Sequence, residues 1–470
     1  MKKYKLNVSY DVPQGHLIIT DRIKVPAGHY LYSGKLNEEP FVDYTSPQLK
    51  RLCGIDVLIY NRGQKEGNII SAKETNSHNI DILEEVVNID KYEKYKRYIP
   101  AIKTKPFLLL AGISGTGKSR LVKEFAYITC PNKDNLQKDP VSPGNYLLIE
   151  VKPNWHDSTE LLGYESAITH KYIVTPFVKF LIKALCYSDV PFFLCMDEMN
   201  LAPVEQYFAE FLSVLESRKI IDGVIKSEPL IFADIFNNYE SQLHADLLKP
   251  TDENREEYEK FNTVYEILKK EGLRIPSNLI VVGTVNMDET THQFSRKVID
   301  RAMTIEMNID DSEEPFNKFF TESQELAYLE KPLPKELFLP TAVQAKEVLG
   351  KLSNEDRNYL TENTPILLHS LNQALKGTPF KIAYRVQNEL ILYFYELRNK
   401  QKNASSEELL IKAMDAILMF KVLPRIEGDE EMLEIPLKEL HRFTENYEQA
   451  HNKVNEMQQR LKAHFTSFWP

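Results

Sequence analysis

The chain has 470 residues, 58 Lys and Arg against 68 Asp and Glu, a net charge of −10, and 43% hydrophobic residues. That length asks for two or three domains, and the composition is that of a globular protein. No apolar run reaches the roughly 18 residues that span a bilayer and no apolar leader follows Met1, so the expectation is a cytoplasmic protein with no membrane partner. The acidic balance argues against a surface coated in nucleic acid.

The charge is uneven: residues 1–105 come to about +4, leaving about −14 for the rest. Cys53, Cys130, Cys186 and Cys195 form no C-x-x-C pair and read as reduced thiols, not a disulfide or zinc framework. Within residues 1–75, Tyr4–Val8, His16–Thr20, Tyr30–Tyr32 and Ile55–Tyr60 have strand character. Turn signals at Pro13-Gln14-Gly15, Pro26-Ala27-Gly28, Ser33-Gly34 and Asn61-Arg62-Gly63 separate them. A small β-rich N-terminal domain over 1–100 is expected. Its aromatics (Tyr4, Tyr10, Tyr30, Tyr32, Phe41, Tyr44) either line a base pocket or fill a small core, and core filling is the commoner outcome. The charged stretch 76–105 reads as a helical connector.

From 101 to 310 short apolar runs alternate with helical patterns, the signature of βαβ units and a parallel sheet. The predicted strands are Phe107–Ala111, Tyr146–Val151, Pro191–Met196, Asn278–Thr284 and Met303–Met307. Val204, Tyr207, Phe208, Phe211, Leu212 and Leu215 form one apolar stripe of a helix that Pro203 opens. Residues 220–277 interrupt the alternation as a charged, partly helical insertion. Residues 311–470 read as a mainly helical domain, with helical periodicity in 341–352, 364–375, 386–401 and 406–421 and a polar amphipathic helix over Asn452–Phe465.

The first strand runs into Gly112-x-x-x-x-Gly117-Lys118-Ser119, a phosphate-loop pattern in its required setting of strand, glycine loop and helix. Its glycines let backbone N–H groups turn inward on phosphate oxygens at the positive end of a helix. Gly112, Ser114, Gly115, Thr116, Gly117, Lys118 and Ser119, with Arg120 opening the helix, are therefore the candidate nucleotide-binding set. Lys118 would meet the β- and γ-phosphates, and the Ser119 hydroxyl Mg²⁺. The third strand ends in Asp197-Glu198, where open α/β sheets bind ligands; Asp197 suits the metal and Glu198 the activation of a water. Asn286 closes the fourth strand. It fits a residue that positions the lytic water, against the plainer reading of a turn-forming Asn. Arg296 and Arg301 could neutralise transition-state charge, in a neighbouring subunit's site if the protein forms a ring, and Arg385 could reach the γ-phosphate from the helical domain.

Four segments together resemble the AAA+ NTPases of the McrB group: Gly112–Ser119, Met196–Glu205, Val282–Thr291 and Lys297–Ala302. Val151–Asp157 with Trp155, and Leu161–Tyr164, are typical of that group as well, and Val422–Gly428 is similar to it more loosely. The resemblance covers 101–310 strongly, 380–470 faintly and 1–100 not at all. It implies an AAA+ fold with a helical lid, a homo-oligomeric hexameric ring, and hydrolysis of GTP or ATP with Mg²⁺ that drives movement along DNA. It also implies a separate McrC-type nuclease subunit, since no nuclease cluster stands in this chain, and a target-reading role for the N-terminal domain. Where the group often has Asn-x-x-Asp, this chain has Glu289 three past Asn286 with Asp288 beside it, so either carboxylate could take that place. A proline often stands where Arg296 does, which favours Arg301 as the finger. A MoxR-like ATPase that remodels proteins without DNA, and a nucleotide-gated scaffold, are the competing readings. The intact Glu198 argues against the scaffold.

Overall fold

The computed structural model describes residues 2–12, 15–24, 30–37, 39–45, 95–133, 135–137, 139, 141–247, 255–287, 294–307 and 325–469. Ile55–Tyr60, Asp288 and Glu289 lie outside them. The chain forms two compact units, Met1–Lys94 and Tyr95–Pro470. Among the described residues no helix is long and apolar enough to cross a membrane.

The first unit is an antiparallel meander of β1 (Lys2–Val12), β2 (Gly15–Lys24), β3 (Tyr30–Leu36) and β4 (Glu39–Thr45), in that spatial order. Leu17, Ile19 and Tyr32 are buried. The turn expected at Ser33-Gly34 is instead inside β3, and the strand goes on to pair with Glu39–Thr45. The reason is local: the ladder shifts register on both sides of Gly34, and a Cβ there would fall 1.9 Å from the Ile18 carbonyl oxygen. This glycine permits a bulge and a close backbone approach, which a sequence pattern does not distinguish from a turn.

In the second unit α1 (Tyr98–Thr104) leads into β5 (Phe107–Gly112), followed by α2 (Lys118–Thr129), β6 (Tyr146–Glu150) and β7 (Phe192–Asp197). The single helix expected over Val204–Leu215 breaks at Phe208 into Val204–Tyr207 and α3 (Ala209–Glu216). At the break the Phe208 ring stacks on Phe211 with centroids 4.5 Å apart and packs against Phe107, so aromatic packing outweighs helix continuity there. Residues 219–226 form a hairpin, Lys219–Ile221 against Val224–Lys226, around Asp222-Gly223. Both turn residues have positive φ, as a two-residue Asp-Gly turn requires. Three helices follow, Ala233–Asn238, Glu240–Leu247 and Arg255–Glu271, and Phe236, Leu243, Phe261 and Tyr265 tie them to the main core. The core closes with β8 (Leu279–Asn286), the one-turn helix α4 (Arg296–Ile299) and β9 (Met303–Glu306).

The five strands form one parallel sheet in the order β9-β5-β8-β7-β6. Each was expected, and β8 is buried along its whole length, as the inner strand of a sheet covered on both faces must be. One consequence positions the site: β8 lies between the phosphate-loop strand and the Asp-Glu strand, so its carboxyl end meets both. Beyond residue 325 the unit is helical, with Asn354–Ala374, α5 (Tyr384–Lys400), α6 (Ser406–Ile417), Glu430–Phe443 and Glu448–Leu461. The tail helix stops at Leu461, short of the expected Phe465. His464 takes a left-handed conformation, Phe465–Ser467 pairs as a strand with Glu427–Asp429, and Phe468 is fully buried, so the end of the chain anchors the domain.

Candidate functional site

The loop after β5 is built from backbone conformation. Gly115 and Gly117 have φ of +84° and +79°, and a Cβ at either would meet nothing within 4 Å. Space does not demand glycine here; the left-handed backbone does. Gly117 is the N-cap of α2, so the N-terminal N–H groups of that helix open onto the loop. Lys118 is buried, with its Nζ donating to the carbonyls of Gly112 (3.0 Å) and Ile113 (2.7 Å), and the Thr116 hydroxyl donates to Ile113 (3.1 Å). Gly112 is directly paired with Asn286 across β5 and β8. Arg120 is exposed on the first turn of α2.

The acidic pair is gripped from two sides. Ser119 Oγ donates to Asp197 Oδ1 at 2.5 Å, and Thr284 Oγ1 donates to the same oxygen at 2.7 Å. The backbone N–H of Glu198 donates to Thr284 Oγ1 at 3.0 Å, and Asn286 Nδ2 donates to Glu198 Oε1 at 3.1 Å. Glu198 itself has φ 51° and ψ 49°, a left-handed conformation that is costly for a residue with a Cβ and that clusters at functional sites. The support continues outward. Asn200 Nδ2 reaches the Asn286 carbonyl at 3.4 Å, Tyr207 OH donates to the Met199 carbonyl at 2.9 Å, and the Trp155 ring meets Tyr207 edge-on at 5.3 Å. Met199 packs where a Cβ on Gly283 would stand 2.4 Å from its sulfur. Trp155 thus acts as a buttress beneath the turn that carries Glu198. Beside Asp197, burial pushes the Cys195 thiol up to about 12, so it stays protonated at neutral pH.

Sequence reasoning named Ser119, Asp197, Glu198 and Asn286, and the structure brings these four together. It missed Thr284, the bridge between both acids. A signal was present: Thr284 precedes Asn286 by two residues, hence on the same strand face, in a run otherwise apolar.

The three arginines stand elsewhere. Arg296 lies over the Phe380 ring, 4.8 Å from its centroid. Arg301 Nη1 donates to the Lys297 carbonyl at 2.8 Å, while its Nε is buried without a hydrogen-bond partner. Arg385 pairs with Glu216 at the end of α3, 2.9 Å. Burial pushes the Glu216 carboxyl up, but Lys105, Arg385 and Arg301 together hold it below its usual range.

The Ser119 hydroxyl and the Asp197 carboxylate are hard oxygen donors set against a phosphate-type loop. This donor set fits Mg²⁺, which takes one or two protein oxygens and completes its shell with phosphate and water. Sheet order, loop and acidic pair thus place a phosphate-type loop and two carboxylates at one edge of a five-stranded parallel sheet.

A domain family described as a domain of unknown function, DUF8727, matches residues 341–465, within the helical region. No curated protein matches the chain. Among solved structures it is similar to a candidate ATPase from Cytophaga hutchinsonii, at 14% identity over 73% of this chain and 84% of that one, with a TM-score of 0.39. A chain of the HORMA:CdnC:Trip13 complex of E. coli MS115-1 matches at 13% identity over 70% of this chain and 89% of that one, with a TM-score of 0.17.

Proposed function

We propose that this chain is an AAA+ nucleoside triphosphatase, hydrolysing GTP or ATP with Mg²⁺, and the ring-forming, DNA-translocating motor of a McrBC-like restriction complex. The observation that carries the hydrolytic part is the contact of Asn286 with Glu198 at 3.1 Å, at the point where Ser119 and Thr284 hold Asp197. An acid that merely sat on a surface would need no such clamp. Glu198 takes a proton from water, and Asn286 fixes the direction in which its carboxylate points. Lys118 and the N-terminus of α2 bind and orient the phosphates. Ser119 and Asp197 would hold Mg²⁺, which supplies charge neutralisation between the phosphates. Arg301, delivered by a neighbouring subunit, would stabilise charge that develops in the transition state.

The restriction reading is supported by the resemblance of Trp155 and of Asn286–Thr291 to the McrB group. Its test is turnover of ATP and of GTP by the purified chain, with and without DNA and with and without a nuclease encoded beside it. Stimulation by both is expected. Brisk ATP turnover indifferent to DNA and to any nuclease would favour a protein-remodelling ATPase, and no turnover under any condition would favour a scaffold.

A further inference from the structure

Among the described residues, buried charges gather where the helical region meets the α4–β9 corner, away from the phosphate site. Lys421 is at their centre, with a side chain 1% exposed. It sits in a π-helical turn, Leu418–Val422, between α6 and a short 3₁₀ turn at Leu423–Arg425. Such turns insert a residue into a helix and redirect its side chains, and they are frequent at functional positions. Lys421 Nζ donates to the carbonyls of Asp300 (2.7 Å), Ala302 (2.8 Å) and Ile299 (3.3 Å), and pairs with Glu389 Oε2 at 3.1 Å. The last carbonyls of a one-turn helix have no partner within it. Here an ammonium some 120 residues later in the chain binds the last of them, Ile299, and the carbonyls of Asp300 and Ala302 just beyond.

The same corner is held twice more from the helical region. Arg425 Nη1 meets Asp300 Oδ1 at 2.8 Å while its Nη2 donates to the Phe380 carbonyl at 2.9 Å, and the Phe380 ring underlies Arg296. Behind Lys421 the charges alternate: Glu389 also accepts from Lys105 at 3.0 Å, Lys105 reaches Glu216 at 3.0 Å, and Glu216 pairs with Arg385. A buried ion pair is no better a stabiliser than well-packed apolar side chains, and it is most useful where it fixes a register. The register fixed here is specific. Arg301 stands between the two carbonyls, of Asp300 and Ala302, that Lys421 grips most closely.

We infer that Lys421 is a positioning residue: by clamping the backbone on both sides of Arg301, it sets how the α4–β9 corner presents that arginine to the phosphates of a neighbouring subunit. The inference rests on the ring-forming reading above. It makes the helical region of one subunit a determinant of catalysis in the next. Burial pushes the Lys421 amine down to about 8 although Glu389 opposes the shift, which agrees with a cation held where only the clamp satisfies it.

The test is a mixing experiment on the full chain. Lys421→Met with Glu389→Gln removes both charges of the pair, and Lys105, which loses Glu389, keeps Glu216 as its partner. The double variant should melt close to wild type, bind a fluorescent nucleotide analogue with unchanged affinity, and turn over about a hundredfold more slowly, the scale of loss for a reacting group displaced by about 1 Å. Adding Glu198→Gln subunits, which keep an intact corner but cannot hydrolyse, should raise turnover per mole of the double variant. A role confined to the stability of its own subunit gives no such recovery. Arg301→Ala mixed with Glu198→Gln is run alongside. Recovery in both mixtures supports the inference. Recovery with Arg301→Ala alone, or wild-type turnover by the double variant, overturns the role of Lys421 and leaves the ring reading standing. Recovery in neither removes the action of Arg301 across subunits, and this inference with it. If the double variant melts early, Arg425→Gln takes its place: a loss recovered by mixing supports the clamp, and an undiminished rate overturns it.

Discussion

Thr284→Val is the sharpest perturbation of the site, because valine keeps the shape of threonine in a fully buried strand and removes a single oxygen. That oxygen donates to Asp197 Oδ1 at 2.7 Å and accepts the Glu198 N–H at 3.0 Å. Losing a hydrogen bond to a charged acceptor costs about 1.5–3 kcal/mol, and leaving a buried N–H unpaired costs about 1–3 kcal/mol. The two losses share one atom and do not add in full, so a destabilisation of about 2–4 kcal/mol is expected in chemical denaturation. The same N–H holds Glu198 in its left-handed conformation. If about 2 kcal/mol of the loss falls on the orientation of that carboxylate, turnover drops roughly thirtyfold. Binding, which rests on the loop 112–119, should change little. Thr284→Ser keeps the hydroxyl and should stay within about threefold of the wild-type rate, while losing about 1 kcal/mol for the missing methyl group. Equal turnover by the Val and wild-type proteins would refute the reasoning, as would equal losses in the Val and Ser variants.

Three further outcomes are expected. Lys118→Ala removes the ammonium held beside the loop carbonyls and should abolish nucleotide binding in a fluorescence titration; retained affinity would show that the phosphates lie elsewhere. Gly283→Ala would put a Cβ 2.4 Å from the Met199 sulfur and 3.0 Å from Leu109 Cδ2, so denaturation should reveal a loss of about 1–3 kcal/mol, with slower turnover as the turn after Glu198 shifts. Lys421, facing Glu389, Lys105 and Asp300, has its amine lowered to about 8 from 10.5. Between those values the unfolded chain binds the proton and the folded chain does not, so this group makes stability rise with pH. The stability of wild type relative to Lys421→Met with Glu389→Gln should therefore increase from pH 7.5 to pH 9.5, and a flat or falling difference would contradict the burial of that charge.

The parallel sheet was legible because its strands are continuous apolar runs, a pattern a doubly covered sheet imposes, and the phosphate loop because its glycines are needed by backbone conformation. Asp197, Glu198 and Asn286 were legible as polar residues at the tips of such runs. What the sequence concealed depends on distance in the chain. Thr284 reads as one more strand residue until β8 is seen between β5 and β7. Gly34 signals a turn equally well whether it makes one or, as here, allows a bulge. The end of the chain carries helical periodicity, yet the last strand is decided by its partner at Glu427–Asp429. Nothing local to Lys421 records that its contacts lie at Ile299–Ala302.

The central claim is that Glu198, held by Asn286 beside an Asp197 anchored to Ser119, is the base of a nucleoside triphosphatase. Phosphate release from Mg²⁺-ATP and Mg²⁺-GTP, measured for wild type and Glu198→Gln with nucleotide binding followed in parallel, tests it most directly. Wild type should release phosphate from at least one of the two, and Glu198→Gln should bind that nucleotide as tightly and release almost none. Wild-type release by Glu198→Gln, or binding without release by both proteins, would contradict it.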